Sequence, residues 1–151
     1  MHLEGIDLQN LYFVRLNPGD DILVSLREAV EKLDIKNGII LGGVGSTSSY
    51  HFHVVSTGIN PPEEIYTRGK VPADIVSLSG MILNRKVHAH ISFSNDRIAY
   101  GGHLEVGTTV LTFAVVTLAK IKNEITGWDQ IGNIESILAE KVDQRLEEHK
   151  T

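Results

Sequence analysis

Two periodicities run along this chain. Most apolar positions fall in short β-prone runs that alternate with polar ones, and two stretches instead repeat at the three- and four-residue spacing of a helix. Leu11 to Leu16 (L-Y-F-V-R-L) is the first predicted strand, rich in aromatic and β-branched residues. Asn17-Pro18-Gly19-Asp20 breaks it, and Asp20 or Asp21 is placed to cap the next element. There Ile22, Leu23, Leu26, Ala29, Val30 and Leu33 recur at helical spacing and predict an amphipathic helix of about three turns, ended by Lys36-Asn37-Gly38.

Ile39-Ile40-Leu41 reads as a short buried strand, and Gly42-Gly43-Val44-Gly45-Ser46 as a tight connection to an alternating strand over 47–55. A glycine-rich turn after a strand invites a phosphate-binding reading, but an alternating strand follows instead of a helix, and the Gly-Lys-Ser/Thr ending is missing. Residues 57–72 hold three prolines and two glycines and predict an exposed loop with a short strand at Glu64 to Thr67. Asp74 to Leu83 alternates and predicts another strand, turned at Asn84-Arg85-Lys86 into a hairpin. Thr108 to Ile121 is strongly β-prone with weak alternation, which predicts burial on both faces, in a central strand or at a subunit contact. Trp128 lies in a predicted loop, and Asn133 caps a last helix over 133–149 with Ile134, Ile137, Leu138, Val142 and Leu146 on one side. With no repeat and no boundary, residues 1–151 are expected to form a single domain.

Composition narrows the function. A chain of 151 residues with 42% hydrophobic content can bury a sizeable core. A net charge of −5 argues against nucleic-acid binding through a general basic surface. Without cysteine there is no disulfide and no thiolate chemistry, so a metal would rely on histidine and carboxylate. The start, M-H-L-E-G-I-D-L, has no basic region followed by an apolar run, and no apolar segment reaches membrane-spanning length. A cytoplasmic location is the expectation.

The chemistry concentrates in Val87 to Gly107, V-H-A-H-I-S-F-S-N-D-R-I-A-Y-G-G-H-L-E-V-G. On an extended strand His88 and His90 leave the same face, while Val87, Ala89 and Ile91 leave the other. After the turn signal Asn95-Asp96-Arg97, antiparallel pairing can return His103 to that face. Three neutral imidazoles with an open position suit a divalent transition metal, zinc first. Glu105 shares the face of His103 as a candidate fourth ligand, second-shell acceptor or base. The competing reading is a half-exposed polar strand face. Gly101-Gly102 marks a bulge or a close backbone approach beside these residues. His51 and His53 form a second His-x-His pair, read here as a polar strand face because the surrounding sequence offers no third ligand.

Several segments occur in a characteristic order: R-L-N-P-G-D-D-I-L-V-S-L at 15–26, G-I-I-L-G-G-V-G-S at 38–46, D-I-V-S-L-S-G at 74–80, H-A-H-I-S-F-S-N-D at 88–96 and G-G-H-L at 101–104. Together they resemble the plant-and-prokaryote-conserved (PPC) domain in its stand-alone prokaryotic form, over roughly residues 10–120. The resemblance implies an α/β (α+β) fold with a central, mostly antiparallel sheet flanked by helices, assembled as a homotrimer. It also implies the metal-site histidines, matched by His88, His90 and His103. In plants the domain follows an AT-hook and mediates association between DNA-binding proteins, so stand-alone members are often named for DNA binding. This chain has no such arginine-rich segment. Where many relatives have Gly-Arg/Lys-Phe-Glu, this chain continues Gly69-Lys70 with Val71-Pro72. Two functions follow as expectations: a metal-binding domain with a small ligand at the open position, and a DNA-associated scaffold acting through trimerisation. A third is an assembly module whose histidines only line a polar cavity. Nothing names a substrate, so no enzymatic activity is assigned.

Overall fold

The computed structural model describes residues 1–138. The elements are β1 (Leu8–Leu16), α1 (Ile22–Lys32), β2 (Gly38–Val55), β3 (Glu64–Gly69), β4 (Ala73–Leu83), β5 (Lys86–Ser94), β6 (Ala99–Leu104) and β7 (Thr109–Ile121). They build one mostly antiparallel sheet in the order β1-β7-β2-β4-β5-β6, with β3 on the far half of β2.

The long strand β2 organises the sheet. Residues 38–47 lie between β7 and β4, and residues 52–53 lie between β6 and β3. Since β4 pairs with β5 and β5 with β6, the sheet curls until β6 meets β2 again. Alternation then separates the two sides. Phe52, Ala89, Ile91, Phe93 and Leu104 are buried inside the curl, where Tyr50, Phe52, Phe93 and Tyr100 pack ring against ring. The intervening residues face outward.

The expected connection at Gly42–Ser46 is instead the middle of this 18-residue strand. Its glycines serve close packing between strands, not a turn. A Cβ on Gly43 would stand 2.8 Å from the Leu78 side chain, and one on Gly45 (φ +147°) would run into the backbone oxygen of Phe113.

The helix forms where its spacing predicts. Asp21 accepts from the Val24 N–H at 3.0 Å as N-cap, and its other oxygen accepts from the Gly107 N–H at 2.6 Å, tying the helix start to the entry of β7. Ile22, Leu23, Leu26 and Val30 are buried and join Leu16, Ile40, Leu78, Ile82 and Leu118 in the core. Each such side chain contributes about 1.5–3 kcal/mol relative to exposure. The helix ends at Lys32, earlier than expected, because Asp34 takes a left-handed conformation (φ 50°) and Ile35 turns back to donate to the Val30 carbonyl.

Other boundaries shift modestly. The first strand begins at Leu8, and the strand inside the 57–72 loop extends to Gly69. The strand predicted over 108–121 is central by pairing, between β1 and β2, but it is not buried on both faces. Leu111 and Phe113 are exposed on one side. Asn133 accepts from the Glu135 N–H at 2.9 Å as a helix starts at Ile134; the rest of that predicted helix, beyond residue 138, lies outside the described residues.

Candidate metal centre

His88 and His90 leave β5 on its outward face, on either side of buried Ala89. Strand register brings the others to them. His103 on β6 pairs directly with His90 on β5 and with His53 on β2, so all three side chains leave the same side. Tyr66 of β3 continues the row next to His53. The two glycines before His103 let the flanking strands close in. A Cβ on Gly101 would meet the Ile91 carbonyl, and one on Gly102 the His53 carbonyl and, at 2.9 Å, the Phe52 ring. The expectation of a close backbone approach at Gly101-Gly102 describes what these glycines do.

The rings converge. Centroids lie 4.6 Å apart for His88 and His103, and 5.5 Å apart for both His88–His90 and His90–His103. His88, His90 and His103 each offer a ring nitrogen within 4.8 Å of the others. A second set, His53, His103 and Glu105, meets the same limit and shares His103.

Burial first, and then the neighbouring His53 and His88, hold the pKa of His103 down to about 4, with Glu105 opposing them. His90 is likewise lowered, by burial first and then by His88 and His53. Both rings are therefore neutral at pH 7, the form in which imidazole presents a lone pair to a metal.

The second His-x-His pair splits. His53 is not part of a plain polar face: it stacks on His103 at 4.4 Å, with Nδ1 2.8 Å from Glu105 Oε1 and Nε2 3.5 Å from Glu64 Oε1. Residue spacing could not reveal this, because the strand pairing that joins His53 to His103 links positions far apart in the chain. His51 is buried, and both its nitrogens are engaged. Nδ1 lies 2.6 Å from the Val106 carbonyl, which only accepts, so Nδ1 carries the hydrogen. Nε2 is then the acceptor for Arg68 Nε–H at 3.1 Å. His51 has no nitrogen left to offer a metal.

Against this geometry, the sequence matches the Plants and Prokaryotes Conserved (PCC) domain over residues 7–122. The chain belongs to that family. Among solved structures, this PCC chain is similar to a metal-containing protein of Archaeoglobus fulgidus, with a TM-score of 0.73 and 23% identity, covering 82% of this chain and 88% of that one. It is also similar to a plant- and prokaryote-conserved protein of Pyrococcus horikoshii, with a TM-score of 0.69 and 26% identity, covering 82% and 87%. Among curated proteins it is 30% identical over 111 residues to the bifunctional protein GlmU of Synechococcus sp. (strain JA-2-3B'a(2-13)). That match takes in 72% of the PCC chain and 16% of GlmU, so the chain spans about a sixth of its relative.

Proposed function

We propose that this PCC-domain protein binds a transition metal through His88, His90 and His103, with zinc as the ion best suited to three imidazoles and an open position. The observation that carries this reading is the convergence of three ring nitrogens from two adjacent strands within 4.8 Å. The neutral state of His90 and His103 supports it, as does the metal-containing Archaeoglobus relative. Bound there, zinc would supply Lewis acidity at its open position to a small ligand. Glu105 is engaged by His53, which favours a role in orienting that ring or holding a proton over direct ligation.

The exposed apolar residues Leu11, Phe13, Val44, Val76, Leu111 and Phe113 share one face of β1, β7, β2 and β4. Phe13 is 82% exposed. Such a strip on a sheet is an assembly surface, and we assign it to the homotrimer contact. The DNA-associated scaffold is the second reading. It is favoured by a structural relative from Bacteroides thetaiotaomicron (TM-score 0.64, 20% identity) whose name assigns DNA binding provisionally. The net charge of −5 weighs against it.

Metal content per chain, measured by elemental analysis on untagged protein purified without chelator, tests the first reading. About one transition metal per chain is expected, falling well below that in His103→Ala with the fold retained. Protein that stays metal-free after incubation with zinc at neutral pH would leave the histidines as cavity lining.

A further inference from the structure

Beside the histidine face, between β2, β3 and the segment leading into β7, lies a cleft of about 250 Å³. Its lining includes Ser49, Tyr50, His51, Arg68, Lys70 and Gly107. We propose that it is an oxyanion site, taking the phosphate or carboxylate group of a small molecule.

Charge is the first argument. The lining holds two cations and no carboxylate, in a chain whose net charge is −5. Arg68 is exposed and forms no ion pair among the described residues, so its charge is available to a ligand. The acids around it have other partners: Glu64 accepts from the Tyr66 hydroxyl, Glu105 faces His53, and Asp21 accepts from the Val24 and Gly107 N–H groups.

Preorganisation is the second. Arg68 stands opposite His51 in the β2–β3 register. The Val106 carbonyl fixes the hydrogen of His51 on Nδ1, so the bare Nε2 holds Arg68 Nε–H at 3.1 Å. One of five guanidinium donors is used to aim the group, and the planar fork that fits a phosphate or carboxylate has no acceptor among the described residues. Ser49 braces the wall by donating to the Gly107 carbonyl at 2.9 Å. The volume is below the roughly 300–1,000 Å³ of pockets for drug-sized ligands, which suits a small anion and not a large cofactor. The site uses none of the three proposed metal ligands and stands without the metal.

The test is a titration of metal-stripped, full-length protein at constant ionic strength, followed by the backbone amide NMR signals of Arg68, Gly69 and Gly107 and the Arg68 side-chain Nε–H. Inorganic phosphate, glycerol 3-phosphate and acetate are titrated separately, so that their order of affinity distinguishes phosphate from carboxylate ligands. Saturable shifts at these positions are expected with at least one of them, weakened about tenfold or more in Arg68→Gln and in Lys70→Ala. The amide introduced by Arg68→Gln keeps a donor for His51, and Lys70 is exposed, so neither change removes a core contact. No saturable shift with any of the three, or equal affinity in both variants and the parent, would overturn the site. So would Arg68-dependent binding of a duplex DNA oligonucleotide with no response to the small anions.

Discussion

The two halves of β2 solve opposite problems with the same strand geometry. Residues 38–47 are glycine-rich and lie between β7 and β4. They remove side chains so that neighbouring strands approach closely, and they carry an apolar outer face at Val44. Residues 50–55 pair with β3, and 52–53 also with β6; they keep large side chains on both sides, aromatic ones inward and imidazoles outward. One half is built for close packing between strands, the other sets His53 against His103 of the proposed metal site. Both depend on register, because a slip of one residue would exchange their faces.

That division can be broken from either end. The largest effect is expected at Gly45→Leu. Its Cβ meets the Phe113 backbone at a positive φ, so unfolding in denaturant should show a loss of about 2 kcal/mol or more. Retained stability would mean that the strands have room to separate there. Next is Val115→Asp on the outer face opposite Val44. Size-exclusion with light scattering should find smaller or insoluble species, whereas soluble protein of the parent's size would remove this face from the proposed trimer contact.

A smaller effect belongs to the histidine half. The pKa of His103 is depressed from the ordinary 6.5 to about 4 in the folded protein. Above the unfolded value the ring is neutral in both states and its neutral-state contacts are fully retained. As pH falls from about 6.5 toward about 4, the unfolded chain binds the proton first, so stability is lost. Metal-stripped protein should lose thermal stability over that window, and His103→Gln should flatten the loss. An unchanged profile in the variant would mean that other groups govern the acid limb. The smallest effect is expected for His51→Gln, which should leave zinc stoichiometry near the parent value, because neither nitrogen of His51 faces the centre. Loss of metal there would join the two halves of the second His-x-His pair again.

Much of this is legible in the residues. The α1 stripe, the 74–83 strand and the His88–His90 face follow from local periodicity, which needs only neighbours along the chain. The glycine run at 42–45 reads as a connection yet forms the middle of a strand, since glycine marks both turns and strands that others press upon. Spacing alone separates His53 from the cluster, because its partner His103 is joined to it only by sheet closure.

The sequence by itself therefore determined which residues share a face, because the pleat fixes alternation within a strand. It also set the available chemistry: histidine and carboxylate donors, no thiol, and a net negative charge. Only the tertiary structure decided which faces meet. The return of β6 to β2 places His53 against His103, and the β2–β3 register sets Arg68 against His51. Those contacts depend on non-local hydrogen-bond register, and no short window of sequence contains both partners.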